Sequence, residues 1–189
     1  MSQAFGQCSR EQENRLFVAL EIPEDVKASL SNLQACFPGL KWTAASNLHL
    51  TLRFIGQVPQ TRIDTVQQAL RHVKSGPFRL IVAGLGLFQR RAGGVLWAGV
   101  HEEPALLTLK KHVDDALRVS AGLRLAEESF SPHLTLSRLK NPVPPSLKTQ
   151  VREKAAERFG EIFVAGFTLF CSLLRPSGAV HEPVERYPL

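Results

Sequence analysis

The sequence predicts an α+β fold with internal two-fold pseudo-symmetry, and three observations carry that prediction. Strand-helix-strand order occurs in both halves of the 189-residue chain. The segment His49-Leu50-Thr51-Leu52 recurs as His133-Leu134-Thr135-Leu136, each time in a run with the composition of a strand. Strands and helices also intermix without the strict alternation of a doubly wound sheet. With 44% apolar and 21% charged residues the chain can bury a real core. No linker divides residues 15–189, so one ordinary domain, or one domain made of two lobes, is expected there, preceded by a polar, flexible tail over 1–14.

Taken in order, Arg15 to Ile22 is a short apolar run that reads as the first strand. Pro23-Glu24-Asp25 opens a helix to about Cys36, because proline and acids suit a first turn, and Phe37-Pro38-Gly39 ends it. The first histidine strand covers Leu48 to Ile55, a turn follows at Gly56 to Pro59, and a helix covers roughly Thr61 to Val73. Phe78 to Phe88 and Val95 to Val100 flank a polar, glycine-bearing connection and form a hairpin with Arg90-Arg91 at its tip. Glu103 to Ser120 carries Leu106, Leu109, Val113, Ala116 and Leu117 at helical spacing. The second histidine strand, Leu134 to Leu139, is followed by a proline-rich loop and a helix over about Ser146 to Phe159. A strand over Phe163 to Leu174 and a last edge strand after Arg175 complete the reading.

The totals bound the partners. Lys and Arg number 23 against 17 Asp and Glu, a net charge of +6 that favours anionic partners such as nucleic acid. Three cysteines, Cys8, Cys36 and Cys171, without CxxC spacing argue against a disulfide framework or zinc ribbon, and Cys171 reads as a core residue. Nothing resembles a signal peptide or a membrane span, so a cytoplasmic protein away from membranes is expected.

The repeated tetrapeptide carries the chemistry. Alternation along a strand buries the leucines and presents His and Thr together on the other face. Imidazole is the one side chain whose ordinary pKa, about 6.5, lets it give or take a proton near neutrality. Cleaving a phosphate ester needs a base for water and an acid for the departing oxygen, and two histidines supply both. The hydroxyls of Thr51 and Thr135 suit non-bridging phosphate oxygens. A metal centre is not expected: two histidines fall short of a usual ligand set, and the nearest carboxylates are Glu127 and Glu128. No cofactor is implied.

On these residues the chain resembles the two-histidine (2H) phosphoesterases, and among them the bacterial-type RNA 2′,3′-cyclic phosphodiesterases once described as 2′-5′ RNA ligases. Asn47 to Leu52 with Phe54-Ile55-Gly56 matches the first motif, and Pro132 to Leu136 with Arg138 the second. Arg15 to Leu20 with Ile22-Pro23, Val95 to Trp97 and Phe167 to Phe170 resemble supporting strands. The resemblance implies two antiparallel sheets facing across a groove with helices outside. It implies His49 as proton donor to the leaving 3′ oxygen and His133 as proton acceptor from water, with a 2′-phosphate product. Thr51 and Thr135 would bind phosphate oxygens, and so would Arg138. Strict alternation puts Arg138 on the leucine face, so reaching the phosphate requires a bulge or a strand end. RNA ends or small nucleotides bearing a cyclic phosphate are the implied partners, and a monomer is expected. Alternatives are a 2H enzyme acting on 2′-5′ linked oligonucleotides or cyclic-phosphate metabolites, and a non-catalytic RNA-end binding module.

Other features read as structural. His72, His101, His112 and His181 lack a motif and are expected as surface or helix histidines rather than ligands. Gly84-Leu85-Gly86 lacks the third glycine of a dinucleotide loop, Gln89 standing in its place, and leads into a strand. Trp97 and Phe54 are expected in the core rather than under a nucleobase, and Arg90-Arg91 is read as solvated charge.

Overall fold

The computed structural model describes residues 14–127, 129–175 and 178–189. The expected tail lies outside them except for Asn14, which is buried and opens the first strand. Eight strands and four α-helices follow: β1 (Asn14–Glu21), α1 (Glu24–Asn32), β2 (His49–Val58), α2 (Gln60–Arg71), β3 (Phe78–Arg90), β4 (Gly93–Val100), α3 (Pro104–Asp115), β5 (His133–Leu139), α4 (Pro145–Glu153), β6 (Arg158–Val164), β7 (Gly166–Arg175) and β8 (Gly178–Pro188). Each helix begins at or just after a proline, whose fixed φ suits an entry. The Glu103 carboxylate also accepts from the Ala105 N–H at the start of α3.

All strand pairs are antiparallel, in the order β6-β3-β4-β5-β2-β1-β7-β8. The two expected sheets are therefore present as two four-stranded halves. A single register pair, Leu50↔Leu134, joins them in the middle. That pair lies between the two copies of the repeat, so β2 and β5 are the innermost strand of each half. Leu50, Leu52, Leu134 and Leu136 are at most 2% exposed, in one core with Val26 and Leu30 of α1, Leu70 of α2, Leu109 of α3 and Val151 of α4. Burying each such leucine contributes about 1.5–3 kcal/mol. The helices cross over: α1 precedes β2 yet packs on β6 of the other half, while α3 precedes β5 yet packs on β2.

Seven successive positions, His49 to Ile55 and His133 to Leu139, follow one burial pattern in both strands. The cause is a matched bulge. In β2 the register passes from Ala19↔Thr51 to Val18↔Arg53, leaving Leu52 unpaired; in β5 it passes from Trp97↔Thr135 to Leu96↔Ser137, leaving Leu136 unpaired. Each bulge reverses the alternation beyond it. Arg53 and Ser137 thus turn into the interior, and Phe54 and Arg138 turn outward. This is the bulge that Arg138 needs. It also corrects the expectation of a core position for Phe54, which is 48% exposed.

Behind the bulges the two halves clamp each other. Arg53 donates from Nε to Asp114 of α3 at 2.6 Å, makes a second bond to the same carboxylate, and donates to the Ala126 carbonyl at 3.0 Å. Ser137 donates to the Lys41 carbonyl at 2.8 Å, and the Thr43 N–H donates to the Leu136 carbonyl at 2.7 Å. The segment leading into each histidine strand is thus fastened behind the other one.

Three local expectations are corrected. Helix α4 ends at Glu153, and Phe159 belongs to β6, a strand the local pattern does not reveal. At Gly84 (φ +76°) a Cβ would lie 2.6 Å from the Ala155 carbonyl oxygen, and the Gly84 and Leu85 N–H groups donate to Glu157 and Lys154. That docking turns the chain back along β3. The helix expected over Glu103–Ser120 is α-helical to Asp115 and closes as a π-helix over Ala116–Ser120. The hairpin tip is tighter than expected, because β3 extends to Arg90 and β4 starts at Gly93. Cys171 is 3% exposed, as expected of a core residue.

Candidate active site

The two histidines are held alike. His49 Nδ1 lies 2.7 Å from the Asn47 carbonyl, and His133 Nδ1 lies 2.7 Å from the Ser131 carbonyl, two residues back in each case. A carbonyl can only accept, so in both neutral rings Nδ1 carries the hydrogen and Nε2 offers its lone pair. Thr51 and Thr135 are half-buried beside them on the same face. Antiparallel register through Leu50↔Leu134 sets His49 against Thr135 and Thr51 against His133. The structure thus brings together all the residues singled out by the repeat.

The surroundings differ between halves. His49 packs against Phe17 (4.9 Å between ring centres), Phe170 (6.5 Å) and His181 (5.1 Å, edge-on). His133 packs against Phe88 (5.0 Å, edge-on) and Trp97 (6.3 Å). Gly86 of β3 makes the second arrangement possible, because a Cβ there would sit inside the Trp97 indole. Burial lowers the His49 pKa to about 4, reinforced by the charges of His181, Arg138 and His133 and opposed by the bond to Asn47. In the free protein this ring is neutral at physiological pH.

A cavity of about 160 Å³ adjoins His49 and is lined also by Glu21, Lys27, Ser46, Phe170, His181 and Arg186. The Arg186 guanidinium donates to the Glu21 carboxylate at 2.7 and 3.2 Å, and Thr168 donates to it at 2.7 Å. Arg186 leads in holding the Glu21 carboxyl below the usual carboxylate range. Among the described residues no group of three or more His, Cys, Asp or Glu side chains is arranged to hold a metal ion. No helix among them is long and apolar enough to cross a membrane.

His181 overturns its expected surface role. It is half-buried against His49 and Phe17, brought there by the pairing of β8 with β7 at Ser172↔His181. It has no repeated neighbourhood, and only the register of that hairpin could have pointed to it. Phe17, Phe88 and Phe170 likewise sit in strands whose sequences show no more than apolar character.

A family model described as LigT like Phosphoesterase matches residues 20–97 and 99–181, a span that contains both histidine strands. The chain belongs to this family. The RNA 2′,3′-cyclic phosphodiesterase of Archaeoglobus fulgidus is 34% identical over 176 residues, covering 90% of this chain and 98% of that protein. The RNA 2′,3′-cyclic phosphodiesterase of Thermus thermophilus is 34% identical over 194 residues, covering 93% and 90%. Among solved structures, E. coli LigT complexed with 3′-AMP superposes with a TM-score of 0.77 at 25% identity, over 94% of this chain and 99% of that one. TT0787 of Thermus thermophilus does so with 0.75 at 31% identity, over 93% and 97%. The LigT-like fold is thus the fold of this chain, and the duplicated strands occupy its centre.

Proposed function

We propose that this LigT-like chain hydrolyses 2′,3′-cyclic phosphates, at RNA ends or on small nucleotides, to 2′-phosphomonoesters, without a metal ion. One observation carries the reading: two imidazoles, each with its Nδ1 hydrogen fixed by a backbone carbonyl and its Nε2 lone pair left over, stand on the two strands that meet at Leu50↔Leu134. The relatives named for this activity, and the E. coli LigT complex with 3′-AMP, support a nucleotide as substrate.

In the proposed reaction His133 Nε2 takes a proton from water, whose oxygen bonds to phosphorus as the bond to the 3′ oxygen breaks. His49 protonates that departing oxygen, leaving a 3′ hydroxyl and a 2′-phosphate. Thr51, Thr135 and Arg138 hold the non-bridging oxygens, where negative charge must be borne. Residues 15–189 act as one bilobal catalytic unit, a cytoplasmic monomer. His49 must carry a proton to serve as donor, and phosphate charge at the site favours its protonated form.

The test is incubation with cyclic-phosphate-terminated RNA and with 2′-5′ oligoadenylate, both in EDTA. Opening of the cyclic phosphate to a 2′-phosphate is expected. Cleavage of oligoadenylate alone would move the assignment to 2′-5′ linkages, and complete loss in EDTA would restore a metal. His49→Ala and His133→Ala should each lower turnover by about 10²–10⁴-fold while RNA affinity persists. Near-normal turnover in either variant would end the acid–base assignment, and a parent chain that binds RNA ends without turnover would favour the binding-module alternative.

A further inference from the structure

The proposed reaction leaves one imidazole of the site unused. His181 stands edge-on to His49 (5.1 Å, planes 89° apart) and to Phe17 (4.9 Å, 79°), and it lines the cavity of about 160 Å³ with His49. Its two nitrogens face different surroundings. Among the described residues, Nδ1 is buried without a hydrogen-bond partner, whereas Nε2 is not among the buried unpartnered atoms and no described residue bonds it.

A neutral imidazole carries one hydrogen, and a buried N–H without an acceptor is rarer and costlier than an unfilled lone pair. His181 therefore keeps its hydrogen on Nε2. A second proton would create the orphan N–H on Nδ1. It would also add charge where the charges of Arg138 of β5 and Arg15 of β1 already act on the ring, beside neutral His49 of β2 and the Phe170 ring of β7, in a cavity lined too by Lys27, Arg186 and the Glu21 carboxylate that Arg186 engages. His49 has the opposite tautomer, with its hydrogen on Nδ1. The two rings thus set a fixed N–H donor next to a lone-pair acceptor.

We infer that His181 is a substrate-binding residue whose Nε2–H donates to a phosphate oxygen of the nucleotide held at His49. This rests on the cyclic-phosphate reading for the substrate, though the tautomer does not. A neutral donor there bonds the anion without adding another positive charge beside His49, which a lysine or arginine would do.

The decisive experiment records imidazole ¹⁵N spectra of the full chain, free and titrated with inorganic phosphate and a nucleoside 2′-monophosphate. Alongside it, His181→Phe and His181→Gln are assayed on a nucleoside 2′,3′-cyclic phosphate. The free protein should show His181 with hydrogen on Nε2, and both anions should shift that nitrogen. His181→Phe keeps a ring against Phe17 and His49 and should lose about tenfold in kcat/KM. His181→Gln retains an N–H donor and should recover most of that loss. Hydrogen on Nδ1, an Nε2 signal unmoved by either anion, or parental kcat/KM in His181→Phe would each overturn the inference. If the parent chain leaves cyclic phosphates intact while phosphate still shifts His181 Nε2, the hydrolase reading fails and the binding role stands.

Discussion

At the scale of single residues, the asymmetry between the two histidines is the informative feature. Their backbone bonds are the same, yet His49 sits deeper and its pKa is drawn down to about 4. Because the folded value lies below the unfolded one, acidification from about 6.5 toward 4 protonates the unfolded chain first and erodes stability. A bound phosphate opposes this by favouring the charged ring. Inorganic phosphate should therefore raise the His49 pKa, followed by the ring Cε1 proton in an NMR titration. An unchanged value would leave His49 a base and reverse the roles proposed for it and His133. Gly86→Ala should displace the Trp97 indole from β3, changing its fluorescence and lowering kcat/KM through the loss of His133 packing.

At the scale of elements, the bulge decides which residues share the histidine face. Position five after each histidine falls on the leucine face by simple alternation, and one unpaired leucine moves it to the other face. Phe54 and Arg138 are therefore equivalent by pseudo-symmetry and opposite in chemistry, which adds to the difference between the two halves of the site. Arg138→Ala should raise KM for a cyclic nucleotide about ten- to a hundredfold with a smaller change in kcat, the loss of a charge-assisted bond. Equal loss in both constants would show that Arg138 acts in the transition state instead. The strand period was enough to put His49 with Thr51, and His133 with Thr135, on one face, because alternation is a local property; that the two copies meet depends on the pairing Leu50↔Leu134. The bulge, β6 and the position of His181 depend on partners distant in sequence: Val18 and Leu96 across from the bulges, Ala155 against Gly84, and Ser172 opposite His181. Local pattern carries no record of those.

At the scale of the molecule, the reciprocal clamp ties the two imidazoles to a common frame. Arg53 and Asp114 are 3% and 5% exposed and paired through two bonds, with Lys110 as a third partner. Burial works against the charged Asp114, but the Arg53 and Lys110 bonds outweigh it and hold its carboxyl below the usual range. Removing one partner of a buried pair is strongly destabilising, so Arg53→Met should cost about 3–5 kcal/mol in urea unfolding. Asp114→Asn should also be destabilising near neutrality. Since the folded value is the lower one, the parent's advantage should shrink as pH falls below about 4, where Asp114 of the unfolded chain gains its proton before the folded one does.

The strand order has a consequence for how the protein is made. The half containing β3, β4, β5 and β6 has all its strands once residue 164 has been synthesised. The half that begins with β1 and β2 still lacks β7 and β8, so its opening strand waits, unpaired on one edge, until residues 166–188 leave the ribosome. The first imidazole to be translated is thus the last to receive its aromatic and histidine neighbours, Phe170 and His181. A nascent chain arrested before β7 would present a finished second lobe and an exposed β1 edge open to chaperones.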